Sequence, residues 1–186
     1  MTSGERLTTY LDAVASALRQ AGRFADVRIH LDLFDLDDVL KETFRTPAAR
    51  IIWAGGKPEP GANGGVDLAS SIVIAVICRR EGRPDPQFTS ADRSALTLSI
   101  DLISTINIDP YFGQPKVTPA TPRGIKVAIS EKNSKDGIAV VLVELGAVFL
   151  AAAEAYDPVR RALMSADQPT RIVVTAGDET IIEGAR

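Results

Sequence analysis

The side chains able to carry chemistry fall in three places, and each admits a plain structural reading beside the chemical one. Cys78, the only cysteine, sits in the run SIVIAVICRR, and His30, the only histidine, sits in VRIHLDLF. A nucleophilic thiolate needs a base or a cation beside it, and none is near in sequence. A thiol buried in an apolar strand behaves as a small hydrophobe, and a lone cysteine forms no internal disulfide. His30 is able to act as a general base or a metal ligand, yet it alternates with apolar neighbours as an ordinary strand histidine does. One histidine and one cysteine do not make a zinc ligand set.

The second place is acidic. Asp32, Asp35, Asp37 and Asp38 put four carboxylates within seven residues, a density that suits calcium or magnesium. An EF-hand loop needs Gly at its sixth position and Glu at its twelfth, and LFDLDDVLKETFRT supplies neither in place. The acids read instead as a solvated surface and the first turn of a short helix, where the dipole favours negative charge. The third place is GGKPEPGANGG, which follows the short strand Arg50 to Ala54 and holds five glycines and two prolines in eleven residues. It reads as a mobile loop ordered by a partner. A nucleotide cradle would require a GxGxxG fingerprint, or a lysine followed by Ser or Thr after a glycine, and Lys57 precedes Pro58 instead.

The elements that must position these residues are legible from periodicity. Leu7, Leu11, Val14 and Leu18 share one face of an N-terminal helix, widened by Tyr10 and Ala17 and closed near Gly22. Val27, Ile29, Leu31 and Leu33 alternate with Arg28, His30 and Asp32, the mark of a half-buried strand. Val66 to Arg79 is almost continuously apolar and reads as an inner strand covered on both faces at its centre. Ala91, Leu96, Ile100, Ile103 and Ile106 outline a second helix, and Pro110, Pro115 and Pro119 make the following segment irregular. Gly124 to Leu150 reads as a hairpin about KNSKDG, with one face of Ile125, Val127 and Ile129 buried. Its return strand outruns its partner over roughly Glu144 to Leu150, and that excess must pair with another strand or another subunit. RIVVTAGDETIIEG resembles a small hairpin about Gly177-Asp178, too small to be stable without docking.

Composition narrows the functional classes. The 186 residues are 45% hydrophobic, enough for one well-filled core or a core with an appendage, and the net charge of −3 gives no general drive toward nucleic-acid phosphates. The N-terminus lacks the basic and apolar regions of a secretory signal, and Gly137 to Ala153 is interrupted by Glu144 and rich in valine, so a membrane-spanning helix is not expected. No repeat of 20 to 50 residues recurs.

The order of helix, strand, glycine-rich segment, long central strand, helix, proline-rich segment and hairpin resembles the tail-completion and tail-terminator proteins of phages and Mu-like prophages. The residues that carry the likeness are LTTYLDAVASALRQ (7 to 20), ARIIWAGG (49 to 56), SSIVIAVICRR (70 to 80), ADRSALTLSIDLISTI (91 to 106) and GIAVVLVELGAVFL (137 to 150). The resemblance implies an α+β fold: a mostly antiparallel sheet with two amphipathic helices on one face, spanning residues 1–150, with 151–186 as a C-terminal extension. It implies a homohexameric ring that caps the tail tube in the virion tail, ends its polymerisation and meets the neck or head connector, with sheath protein a further neighbour. Such a subunit has no catalytic residue, cofactor, metal or membrane, and DNA passes through its lumen without specific binding. On that scheme Asp35, Asp37 and Asp38 are candidate lumen acids, and Gly55, Gly56, Lys57, Glu144, Val148 and Phe149 form a candidate interface loop and strand. The alternative class is a small-ligand or nucleotide-binding enzyme domain in which Gly55, Gly56 and Lys57 contact the ligand. An interaction module of a secretion or contractile injection machine would share the terminator's physics.

Overall fold

The structure, a computed structural model, describes residues 3–30, 45–62, 64–79, 90–128, 137–153, 172–176 and 179–183. The elements in chain order are α1 (Ser3–Gln20), β1 (Asp26–His30), β2 (Ala48–Pro60), β3 (Val66–Arg79), α2 (Ser90–Ile108), β4 (Thr121–Ala128), β5 (Ile138–Ala153), β6 (Ile172–Ala176) and β7 (Glu179–Glu183). They divide into two compact units, Met1–Ala153 and Glu154–Arg186. The first unit carries a five-stranded sheet in the order β1-β2-β3-β5-β4. Only β1 and β2 run parallel, so the sheet is mostly antiparallel and the class is α+β. The second unit is a hairpin in which Ile172 pairs with Glu183 and Ala176 with Glu179, the pairing expected about Gly177-Asp178.

Both helices pack on one face of the sheet. The α1 stripe turns inward as its spacing dictates, with Leu11, Val14 and Leu18 buried beside Tyr10 and Ala15. Arg19, in its last turn, donates to the Val27 carbonyl at 2.9 Å and so ties the helix end to β1. The α2 stripe differs from the apolar pattern. Ala91, Ala95, Ser99, Leu102 and Ile106 are buried, whereas Leu96 and Ile100 are each 51% exposed. Small residues every fourth position let the helix axis approach the sheet, and close approach outweighs the larger side chains in choosing the buried face. Ser99 is accommodated because its hydroxyl donates to the Ala95 carbonyl at 2.7 Å.

Alternation along the strands sorts the rest. Ile72, Ile74, Val76 and Cys78 of β3, with Val141, Val143, Leu145 and Phe149 of β5, face the helices. Ala75 and Ile77 join Ala48, Ile52, Ile138 and Val140 in a smaller apolar cluster on the opposite face. The centre of β3 is thus covered on both sides, as its unbroken apolar run predicts.

Two expectations change, and a third that left two partners open is decided. Gly55 to Pro60 is not a loop: β2 continues past a register shift after Trp53, pairing Gly55 with Ser71 and Pro60 with Val66. Gly55 adopts φ 121° at the shift, a region closed to side-chain-bearing residues. A Cβ on Gly56 would sit 2.9 Å from Leu68 Cδ1, so glycine here serves strand packing. The excess of the return strand β5, expected to pair with another strand or another subunit, pairs with strands and backbone of its own chain. The far half of β5 pairs with β3 as far as Val66–Ala153. On its other side the Thr118 amide donates to the Val148 carbonyl at 2.9 Å and the Leu150 amide to the Lys116 carbonyl at 2.8 Å. The obligation of each backbone group to find a partner is met by the proline-rich segment, which sequence pattern cannot place. Val127, finally, is 57% exposed because the helices pack over β3 and β5 more than over the edge strand β4; Ile129 lies outside the described residues.

The densest packing is aromatic. Tyr10 meets Phe112 edge-on at 5.6 Å and Phe149 at 5.3 Å, joining α1, the post-α2 turn and β5. Burial, and secondarily the charge of Asp109, hold the Tyr10 phenol well above its ordinary pKa. Its hydroxyl has no hydrogen-bond partner among the described residues. Phe149→Ala is therefore expected to cost about 3–5 kcal/mol in denaturant titration. Tyr10→Phe, which removes only an unpartnered hydroxyl, should leave stability equal or higher.

Candidate functional site

The face of the sheet away from the helices gathers the polar side chains. At its β1 end Arg50 is fully buried, and its Nη2 donates to Asp26 Oδ2 at 2.9 Å while Nη1 donates to the Ala49 carbonyl at 3.2 Å. The other Asp26 oxygen accepts from Arg28 Nε at 3.2 Å. Parallel pairing of β1 with β2 sets Arg28 opposite Arg50, and the Asp26 carboxylate, bonded to both, offsets that like-charge contact. Sequence reading placed Arg28 on this face but passed over Arg50. The signal was an arginine inside the otherwise apolar RIIW, where burial demands a carboxylate.

His30 shares this face, opposite Ile52, and its Nε2 is buried without a hydrogen-bond partner among the described residues. Cys78 lies on the opposite, helix-covered face. The sheet therefore separates the only histidine from the only cysteine, and they cannot act as base and nucleophile together. Desolvation raises the Cys78 thiol to a pKa of about 11, the direction opposite to that of an activated thiol.

The predicted interface residues sort by strand parity. Gly55 is the backbone partner of Ser71, which pairs on its other side with Gly146; Lys57, Ala69 and Val148 form the next row out. Ser71 donates through its hydroxyl to Glu144 Oε1 at 3.3 Å, and Glu144 lies 3.9 Å from Lys126 Nζ. Lys57, Glu144 and Val148 thus come together around a floor of Ala69, Ser71 and Gly146 at the distal end of the face turned away from the helices. Lys57 is exposed, and Ala69, Ser71, Glu144 and Val148 are only partly buried, unlike the closed apolar cluster nearer β1. Phe149 does not belong to this surface: it is 2% exposed in the helix-side core. Gly56 falls on the helix side with Ser70, its row partner. Asp35, Asp37 and Asp38 lie outside the described residues.

The Gly55-Gly56-Lys57 stretch is extended and paired to β3. Its geometry differs from a phosphate cradle, which points successive amides from a loop at a helix N-terminus. Among the described residues no group of three or more His, Cys, Asp or Glu is placed to hold a metal ion, and no helix is long and apolar enough to cross a membrane. No protein-family model matches the chain, and no curated protein matches its sequence.

Asp26→Ala removes the carboxylate that accepts from both Arg50 and Arg28 and should destabilise the fold by about 2 kcal/mol in chemical denaturation. Cys78 gives a pH-dependent expectation. The unfolded thiol ionises near 9.0 and the folded one near 11, so between those values the unfolded chain binds fewer protons and stability falls as pH rises. The contribution is complete below about pH 9. Urea titrations across that window should show a shallower decline for Cys78→Ala, and the native thiol should resist iodoacetamide until the chain unfolds.

Proposed function

We propose that this chain is a structural subunit of a phage or phage-like tail, capping the end of the tail tube as a ring of its own copies. It ends tube polymerisation and presents a surface to the neck or head connector. The observation that carries the reading is the platform at the distal end of the sheet. β2 and β3 run on together beyond β1 to a tight turn in which the Gly61 amide donates to the Gly65 carbonyl at 2.8 Å. The outer edge of β2 from Trp53 onward has no strand partner among the described residues.

A long arm, exposed from Gly56 to Pro60 and continuous with a flat floor of small residues, suits contact between subunits. The α+β fold with both helices on one face, and the patterns that resemble tail terminators, support the same reading. DNA then passes through the ring and touches no specific site.

Size-exclusion chromatography with light scattering, followed by electron microscopy with isolated tail tubes, tests the proposal. A discrete ring, alone or on tube ends, is the expected result. Lys57→Glu, at an exposed arm position, should weaken ring formation without lowering the melting temperature. A chain that stays monomeric in the presence of tubes overturns the reading.

A further inference from the structure

The β4 side of the sheet differs from the β2 arm in what it leaves open. In the described residues α1 packs mainly over β1 and α2 over β3 and β5, and on β4 Val127 is left 57% exposed. A helix advances about 100° per residue, which fixes the direction of each α2 flank. Asp101 approaches Arg23, just past α1, at 3.9 Å, so its flank faces α1. Leu96, 51% exposed, lies across the buried stripe from Asp101 on the flank turned toward β4, while Ile100, equally exposed, points away from the sheet. On the strand below, Ile125 and Val127 point to this same side of the sheet, Ile125 partly buried and Val127 57% exposed. The result is an apolar step with β4 as floor and α2 as wall. The outer edge of β4 has no strand partner among the described residues.

The opposite face of β4 is basic. Lys126 has a side chain 75% exposed and only the distant contact with Glu144. Arg123, at the register shift of β4, lays its guanidinium across Gly146, where any Cβ would collide with it. No ion pair or hydrogen bond engages Arg123 among the described residues, and the side chain is exposed. One strand thus offers apolar side chains on one face and, on the other, two exposed cations of which only Lys126 has a carboxylate nearby.

We infer that the β4 edge docks an extended acidic–apolar segment of a partner protein, added as a sixth strand. Alternate residues of that segment would lay apolar side chains against Val127, on the Leu96 side of the sheet, and carboxylates against Lys126 and Arg123. Charge selects this occupant. A second β4 would bring Lys126 and Arg123 against their own kind, and the free edge of β2 is blunted by Pro58 and Pro60. The inference stands independently of the tail reading.

Anisotropy of a short labelled peptide alternating glutamate with valine, titrated with the full-length chain beside a matched lysine–valine peptide, tests this. Saturable binding of the acidic peptide alone is expected, weakened roughly tenfold by Lys126→Glu and by Val127→Asp. Both positions are exposed, and an unchanged melting temperature confirms that each variant folds. Equal binding of the two peptides, binding indifferent to both substitutions, or no binding of either overturns the inference. Self-association abolished by Val127→Asp without acidic-peptide binding assigns the edge to a second copy and overturns it as well.

Discussion

β3 is paired on both sides along almost its whole length and buried on both faces at its middle, and the rest of the structure follows from that constraint. A strand so placed has no water available to its amides and carbonyls, so each must be met by a neighbouring strand. β2 and β5 are therefore as long as β3 requires. β2 continues through glycines and prolines that would otherwise form a loop, and β5 runs out to Ala153. β1 is short, and the mismatch in length leaves the distal half of β2 without an outer neighbour.

The two faces of the sheet do different work. The helix side is closed by small residues on α2 and by the Tyr10, Phe112 and Phe149 contact, and it holds Cys78 as an inert hydrophobe. The opposite side is apolar near β1, where Asp26 neutralises the buried Arg50, and becomes flatter and more polar toward the arm. A buried charge pair contributes little net stability over an apolar substitute but penalises any slip of β1 along β2, because slippage would break the Asp26–Arg50 pair. Register at the parallel edge is held by that penalty.

What the molecule presents outward is geometry. The arm and the small-residue floor beside Glu144 and Lys126 are faces for contact, and the basic edge of β4 has the backbone groups on which another chain can extend the sheet. The residues with intrinsic reactivity are held apart by the same sheet: His30 on one face and Cys78 on the other. The proposed assembly role rests on shape and backbone pairing.

Local pattern was enough to read α1, the double burial of β3, the pairing of β4 with β5 and the small C-terminal hairpin. Each depends on periodicities of 3.6 or 2 that a chain carries within a short window. The candidate surface was legible only in part. Lys57, Glu144 and Val148 were named from sequence, but their common face depends on a register shift after Trp53 that no local pattern encodes. Phe149 and Val127 exchanged roles for one physical reason: burial is decided by what lies above a strand, and the helices pack over β5 more than over β4. The choice of the Ala91, Ala95 and Ser99 face of α2, the meeting of Asp26 with Arg50, and the sealing of β5 by Lys116 and Thr118 likewise join residues far apart in the chain. The amino-acid order determined which segments were able to be strands or helices; tertiary packing decided which of their faces meet water, because only it brings distant surfaces into competition for the same core.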